Sequence, residues 1–460
     1  MKRKLQITLI SLFLFVLYGF PILFVVLPDQ SFSAEENRNL QTFPAFSVES
    51  LLDGSFSSKI NTYFADQFPL RNGLVGIKGV AETVLWKGEN NGVLLGSDGQ
   101  LGVRLFTMYK SRLERTADMD FYYAENVQSA IDGVNAFAES CSLPLVTLLP
   151  PRTVDVAADS FSYPTLLSDR LHEQLVSGFS SDAHFLDVLP LVRDKHTAGE
   201  YVYLRTASAI YTPKNGIDYV GDQKECFDGV AEKLNAGIQS VNVVDVMKKH
   251  AEEDIYLRTD HHWTTYGAYL AYCEVMREFG MEAEILPESA FTKETIEDFY
   301  GTTWSKAGYK FVGPDTIELW SLGNDDDFTL TFYSAKQAKD ENGKIITVRE
   351  PYQTMTSFYN RDKLSEKDKY AAFLDGTHNE LTVSKTNGNF GDREVLLIAK
   401  DSFANTMVPF LSQHFDIVIV NLAANLTDLS SYIDLYGADR VLLVYNWQNI
   451  LENNNLAAIH

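Results

Sequence analysis

Short apolar segments alternate with helix-like segments from about residue 120 onward, and this order restricts the fold more than any other feature. Each apolar segment has the length and composition of a buried strand. The segments cover residues 143–149, 184–188, 241–246, 394–399, 415–420 and 440–445. Because strands that are separated by helices pair in parallel through crossovers, the alternation predicts an α/β fold with a parallel sheet.

Residues 290–390 interrupt that order, because strand-like segments follow one another there without a helix between them. These segments cover residues 315–320, 328–333 and 344–348. Asn342-Gly343 supplies a turn, so the region is predicted to be a mostly antiparallel, β-rich insertion. The chain is then expected to contain an anchor, a stem with a helical and hairpin segment, the first part of the α/β domain, the insertion, and the second part of the α/β domain. The corresponding residues are 1–30, 31–115, 116–290, 291–390 and 391–460.

The N-terminal residues predict a membrane anchor. Residues 5–27 contain no charged side chain and follow three basic residues, and the segment is long enough to cross a hydrocarbon core as a helix. Basic residues ahead of a span keep the N-terminus in the cytoplasm, so the rest of the chain is expected outside it. The alternative is a cleaved signal peptide, since Ser31–Ala34 contains small residues that suit cleavage, and the protein would then be secreted.

The overall charge excludes nucleic acid as a partner. The 460 residues include 39 lysines and arginines against 62 acidic residues, a net charge of −23, and this field repels polynucleotides. Three cysteines, Cys141, Cys226 and Cys273, leave at least one unpaired, which excludes a disulfide framework. No cysteine cluster has the spacing of a zinc site, and no cofactor is predicted.

Asp260-His261-His262-Trp263 places an acid, two imidazoles and an indole in four consecutive residues. Asp260 can accept the N–H of His262, which fixes the tautomer of the imidazole and supports the imidazolium when the other nitrogen takes a proton. Thr264 can cap a following helix, so the motif is expected in a loop whose side chains project into a cleft. The motif itself contains no nucleophile.

Ser402 is the candidate nucleophile. It follows the apolar segment 394–399 where a strand gives way to a helix, and main-chain N–H groups at such a junction can stabilise an oxyanion. A serine in this position also caps helices, and that interpretation stays open. Arg152 follows the segment 143–149 and is placed to contact an anion or oxyanion, unless it is a solvated surface residue.

A metal-dependent phosphoesterase is a third interpretation of the motif, with Asp260, His261 and His262 as ligands. Such a site needs further carboxylates in matched motifs, and we identify none in the sequence. No metal is therefore predicted.

Residues 258–267, Arg-Thr-Asp-His-His-Trp-Thr-Thr-Tyr-Gly, resemble the signature of the DHHW proteins, which are similar to alginate O-acetylation proteins and belong to the wider SGNH hydrolase-like group. Further segments agree with the family in the same order along the chain. They are residues 35–38, 64–71, 95–99, 400–405 and 409–411. The resemblance implies an SGNH hydrolase-like (flavodoxin-like) parallel sheet with helices on both faces.

By the same resemblance, Ser402 is the nucleophile, His262 the base and Asp260 its orienting acid. The chain departs from typical SGNH enzymes in the order of the two motifs, in Lys400 where a glycine is usual, and in the single residue between Asp260 and His262. His261 and Trp263 are assigned to loop structure or substrate contact. The second oxyanion donor is left open among three side-chain amides, those of Asn405, Asn421 and Asn446.

Two functions follow as hypotheses. The first is an extracytoplasmic, membrane-anchored O-acyltransferase (O-acetyltransferase) or esterase that acts on a cell-surface or secreted polysaccharide through a Ser-His-Asp triad. The resemblance suggests a membrane-bound O-acyltransferase as the donor of its acyl groups. The second is a non-catalytic polysaccharide-binding or export accessory protein, in which the triad is vestigial.

Overall fold

A computed structural model describes most of the chain. The described residues are 2–85, 87–103, 118–157, 160–161, 174–188, 255–339, 345–422, 428–453 and 455–459. The predicted strand at 241–246, Cys226 and the turn at Asn342-Gly343 lie outside them. The chain divides into two compact units, a small one (Met1–Asn91 and Trp304–Val312) and a large one (Gly92–Thr303 and Gly313–His460).

The small unit begins with an apolar helix. It consists of α1 (Lys2–Leu14), a π-helical turn (Phe15–Gly19) and α2 (Phe20–Val26). The π turn precedes Pro21, which has no N–H to donate and so disturbs the regular ladder. Residues Gln6–Val26 have a mean hydropathy of 2.6 and are long and apolar enough to cross a membrane, although a signal sequence passes the same test.

The remainder of the small unit is a stem with three helices. Its elements are β1 (Phe32–Ser33), β2 (Arg38–Asn39), α3 (Val48–Leu52), α4 (Ser55–Asp66), α5 (Arg71–Val84) and β3 (Glu89–Asn90). Arg38 holds Asp66 through two guanidinium contacts of 3.0 and 2.6 Å, and these contacts lower the pKa of the Asp66 carboxyl. Glu36 contacts both Arg38 and Arg71, so a charge network ties the stem to the start of α5.

Over its described residues, the large unit is a mixed α/β structure built on one eight-stranded sheet. Its sheet strands are β6 (Leu145–Leu148), β7 (Phe185–Leu186), β10 (Phe328–Lys339), β11 (Ile345–Met355), β12 (Glu380–Lys385), β13 (Val395–Lys400), β14 (Asp416–Asn421) and β15 (Arg440–Val444). The spatial order is β11-β10-β12-β14-β13-β15-β6-β7. Neighbours from β14 to β7 are parallel, whereas β11, β10, β12 and β14 pair antiparallel. The predicted strands at 328–333 and 344–348 thus extend the same sheet, whereas the one at 315–320 lies outside it.

The other elements of the large unit surround this sheet. The short strands are β4 (Val93–Leu95) with β5 (Leu101–Val103), and β8 (Thr292–Phe299) with β9 (Asp315–Ser321), each an antiparallel pair. Gly99, which has a φ of 76°, lies in the turn of the β4–β5 hairpin predicted from Asp98-Gly99. The helices are α6 (Asp118–Ser140), α7 (Thr153–Val156), α8 (Thr265–Glu278), α9 (Thr302–Lys306, shared by both units), α10 (Val408–Leu411), α11 (Ser430–Tyr436) and α12 (Trp447–Glu452).

The central strands form the core. Every residue of β13 and β14 is buried, as expected for parallel strands that are covered on both faces. Helical side chains such as Tyr272 and Met276 of α8 join the same hydrophobic cluster. The sheet therefore holds the carboxyl end of β13 rigidly, and Ser402 follows two residues later.

Candidate active site

Ser402 lies in a tight turn that a carboxylate holds in place. The turn is one stretch of 3₁₀ helix, Ser402–Thr406, directly after β13. Asp401 caps it by accepting the main-chain N–H of Phe403 at 3.0 Å, and also accepts Asn446 N–H at 2.6 Å and Asn449 Nδ2 at 2.8 Å. Asp401 is therefore the residue that caps this turn, while the Ser402 hydroxyl is directed to another partner.

That partner is His262, in the loop that leads into α8. The loop closes through an isolated bridge between Tyr256 and Trp263, and Thr264 caps the helix by accepting Gly267 N–H at 3.1 Å, as predicted. The buried Trp263 indole donates to Phe403 O at 3.1 Å and to Thr406 Oγ1 at 2.9 Å. Trp263 thus connects the histidine loop directly to the serine turn.

The structure brings Asp260, His262 and Ser402 into one line of hydrogen bonds. His262 Nδ1 lies 2.5 Å from Asp260 Oδ1, and His262 Nε2 lies 2.7 Å from Ser402 Oγ. If Asp260 accepts the Nδ1 proton, Nε2 is left as an acceptor for the serine hydroxyl. Asp260 and His262 are 1% and 5% exposed, so water competes little for these contacts.

The Asp260 carboxyl is held in its charged form. Burial alone would raise its pKa, but the neighbouring imidazoles of His261 and His262 and the bonds from His262 and Thr302 hold the pKa well below the usual range. Thr302 donates both its N–H, at 2.7 Å, and its hydroxyl, at 2.9 Å, to Asp260 Oδ2. Gly301 is required beside them, because a Cβ there would lie 2.3 Å from the Asp260 Cβ.

Tyr370 covers one face of the His262 imidazole. Its ring is stacked on that of His262 with centroids 4.0 Å apart and planes 11° apart. Its hydroxyl lies 3.4 Å from Ser402 O, and burial raises its pKa well above the usual value. An aromatic face against the imidazole can stabilise the imidazolium and keep the ring in plane.

If His262 acts as a catalytic base, replacement of Tyr370 by leucine is expected to lower kcat for p-nitrophenyl acetate about tenfold, because a desolvated cation–π contact contributes about 1–2 kcal/mol. Tyr370→Phe keeps the ring and should stay within about twofold of the wild type. Initial rates with p-nitrophenyl acetate, together with melting temperatures, measure both effects. Equal losses in the two variants would assign the role to the hydroxyl instead of the ring.

His261 and Arg152 share a small pocket beside the triad. The Nδ1 atom of His261 lies 2.9 Å from Thr302 Oγ1, and the His261 ring centroid is 3.9 Å from that of His262. Partial burial is the main cause that lowers the pKa of His261, and the charge of His262 is the next. Arg152 is buried. The pocket is lined by Leu101, Val103, Arg152, Thr153, Val154, His261, Thr303, Asn446 and Gln448.

The predicted amide donors are engaged with other protein groups. Asn405 accepts Lys400 Nζ and donates to Gly376 O at 3.1 Å, and burial lowers the pKa of Lys400 to about 8. Asn446 donates to Pro150 O at 2.8 Å. Asn421 is buried at the end of β14. The main-chain N–H of Ser402 is therefore the better candidate for an oxyanion donor, whereas that of Phe403 already donates to Asp401.

The ligand atoms of Asp260, His261 and His262 lie within 4.8 Å of one another, which is close enough for a shared metal ion. However, Asp260 Oδ1 and His262 Nδ1 are 2.5 Å apart, whereas two atoms bound to one zinc at about 2.0–2.2 Å in a tetrahedral site are separated by about 3 Å or more. The arrangement fits a shared proton better than a metal. The other nitrogen of His262 faces Ser402.

Tyr370, Thr302 and Gly301 were not predicted from the sequence. They come from segments far from the motif along the chain, and no periodicity or motif marks them. Only the fold places these residues around Asp260 and His262.

Comparisons with known proteins agree with this architecture. A family model described as "DHHW protein" matches residues 36–90 and 197–421, and a search among curated proteins finds no match. Among solved structures, Bacillus cereus PatB1 with a sulfonyl adduct is 17% identical, with 80% of this chain and 98% of that chain covered and a TM-score of 0.50. This likeness shows the fold.

Two other solved structures are more distant in three dimensions. A DHHW family protein from Eubacterium siraeum is 20% identical, with 80% of this chain and 97% of that chain covered and a TM-score of 0.38. The O-acetyltransferase domain of Pseudomonas putida AlgJ is 13% identical, with 80% and 95% covered and a TM-score of 0.39.

Proposed function

The chain belongs to the DHHW protein family, and on that premise we propose that it is a membrane-anchored, extracytoplasmic O-acyltransferase or esterase that acts on a polysaccharide. Ser402 is the nucleophile, His262 the base and Asp260 the orienting acid. The observation that supports this most is the line of hydrogen bonds from Asp260 through His262 to Ser402. Acetyl is the proposed acyl group, since the motif resembles that of alginate O-acetylation proteins.

The first half-reaction forms an acyl-enzyme. Ser402 Oγ attacks the carbonyl carbon of the acyl donor while its proton passes to His262 Nε2, and the ionised Asp260 stabilises the imidazolium. The main-chain N–H of Ser402, at the start of the serine turn, stabilises the oxyanion. Collapse of the tetrahedral intermediate breaks the bond to the leaving group, which takes the proton from His262, and the acyl group stays on Ser402.

The second half-reaction transfers that group. A polysaccharide hydroxyl gives its proton to His262 Nε2 and attacks the acyl carbon, and Ser402 Oγ then leaves and recovers the proton. Water as the acceptor gives esterase activity through the same steps. A membrane-bound O-acyltransferase is the proposed source of the acyl donor, because the Gln6–Val26 helix would keep the enzyme at the membrane.

The proposal predicts covalent trapping by a sulfonyl fluoride. Phenylmethylsulfonyl fluoride should add one sulfonyl group to Ser402 Oγ with loss of fluoride, since only a serine activated by a base reacts readily. Intact-mass and peptide spectra of the full-length chain in detergent measure the adduct. The matched control is Ser365→Ala, which removes an exposed serine and should label like the wild type, whereas Ser402→Ala should not label. Equal labelling of Ser402→Ala would contradict the assignment.

A further inference from the structure

Helix α5 of the small unit exposes large apolar side chains in a regular stripe. The stripe runs along one side of the helix and its preceding residue at spacings of three and four. Its members are Leu70, Leu74, Ile77, Ala81 and Val84. Leu70, Ile77 and Val84 are 66%, 67% and 71% exposed. A contiguous exposed stripe of this kind marks an interaction surface.

The packed side of α5 carries small residues instead. A Cβ at Gly79 would lie 1.9 Å from Gly308 O, and one at Gly76 would lie 3.6 Å from the Lys310 side chain. The helix therefore packs Gly79 closely, and Gly76 more loosely, against residues 308–310 and presents its large apolar residues outward. A helix that faces water has the opposite arrangement.

Phe64 in α4 and Phe68, which lies two residues before the stripe begins, contact the apolar N-terminal helix. Phe68 stacks on Phe20 with ring centroids 5.2 Å apart, and Phe64 stacks on Phe24 at the same distance. Phe20 lies six residues before Val26, the end of the apolar helix, which corresponds to about 9 Å along the helix axis. If that helix crosses a bilayer, Phe64 and Phe68 lie at the depth of its outer end.

We propose that this apolar face, formed by Phe64 and Phe68 together with the α5 stripe, inserts into the outer leaflet of the lipid bilayer beside the span. The partner surface is the acyl-chain region of phospholipids. Lys78 is an exposed charged residue of α5, and its ammonium lies 3.8 Å from Glu82, so its long side chain can place the charge at the lipid surface. The inference rests on the membrane anchor included in the proposed function and adds a second membrane contact to it.

Site-directed spin labelling of the full-length chain tests this contact. Single cysteines are introduced at Ile77, at Phe13 in the span and at the exposed Glu366 as a water-facing control. The background replaces the native cysteines by Cys141→Ser, Cys226→Ser and Cys273→Ala. One copy of the chain is placed in each phosphatidylcholine nanodisc, so neither a partner protein nor a second copy can cover the label.

The measured quantity is the collision rate of the label with a water-soluble nickel chelate and with oxygen. The Ile77 label is expected to meet the chelate roughly fivefold less often than the Glu366 label and to prefer oxygen, as the Phe13 label does. A water-accessible label at Ile77 beside a lipid-exposed label at Phe13 would overturn the inference and leave the anchor intact. Water access at both positions would refute the anchor and the inference together. A Val84→Cys label repeats the test one turn or more away from Ile77.

Discussion

Ser402→Ala is expected to lower kcat/KM for p-nitrophenyl acetate by about 10³-fold or more. The variant removes the Ser402 hydroxyl, which lies 2.7 Å from His262 Nε2. Without that hydroxyl no acyl-enzyme can form. The residual rate would come from binding and from main-chain oxyanion donors alone. Initial rates of the full-length protein in detergent measure this loss.

Ser365→Ala serves as the control for the removal of a serine hydroxyl. Ser365 is exposed and donates to Asp362 O at 2.7 Å, so its loss should leave the rate within about twofold of the wild type. Equal rates for Ser402→Ala and the wild type would remove the catalytic interpretation. The chain would then be better described as a non-catalytic protein that binds polysaccharide, with the same geometry retained for structural reasons.

An acyl acceptor assay extends the same comparison from hydrolysis to transfer. Acetylated oligosaccharide should form with the wild type and not with Ser402→Ala when p-nitrophenyl acetate is the donor, because both half-reactions pass through the same oxygen. Hydrolysis without transfer would favour an esterase over an acyltransferase. The assay therefore separates the two activities that one triad allows.

The sequence predicted most strands of the large sheet and their parallel or antiparallel sense, but not which strands are neighbours. β13, β14 and β15 are short runs that are apolar except at their ends, and such runs are typical of buried parallel strands. The strand β10 was also predicted, whereas β12 was not, and the two pair antiparallel. Periodicity defines which face of a strand is buried, but not which neighbour it joins, so the pairing of β12 with β14 in one continuous sheet was not predictable.

For the candidate site, the spacing of nearby residues allowed predictions, whereas contacts between residues far apart in the sequence could not be predicted. The two-residue separation of Asp260 and His262 and the strand-to-helix junction at Ser402 both leave a signature in the sequence. Tyr370 contributes a ring stacked 4.0 Å from His262, yet nothing near it in sequence indicates this. A side chain that contributes only through packing has no characteristic spacing from the motif, so its role can be recognised only in the folded structure.

The sequence also did not indicate which side of α5 packs against the protein. A pattern of apolar residues at helical spacing predicts that the apolar side is buried in the protein. In the structure the glycine side of α5 is packed and the apolar side is exposed. Contact with lipid would explain why the apolar side is not buried in the protein. Lipid hydrocarbon and a protein core favour the same apolar side chains.

Asp260→Asn is expected to lower kcat by about 10³–10⁴-fold while the fold is retained, since the amide has nearly the shape of the carboxylate. The introduced amide can present its NH₂ group to His262 Nδ1, which would place the imidazole proton on Nε2, where it can no longer accept the Ser402 proton. Thr302 donates twice to the second carboxylate oxygen, and this favours the amide orientation that turns NH₂ toward His262. Rates with p-nitrophenyl acetate measure the loss.

The pH dependence of stability separates this charge effect from a change of shape. The pKa of Asp260 is lowered in the folded state, so its charge stabilises the fold fully above the ordinary aspartate value of about 4 and loses that effect as pH falls toward the folded value. The stability that wild type has over Asp260→Asn, measured as a difference in melting temperature, should shrink as the pH falls below about 4. Asp368→Asn is the control, because burial raises the pKa of that nearby carboxyl and its charge should destabilise the fold.

An Asp260→Asn rate within tenfold of the wild type would mean that Asp260 only supports the loop, because a tautomer effect of the expected size cannot be that small.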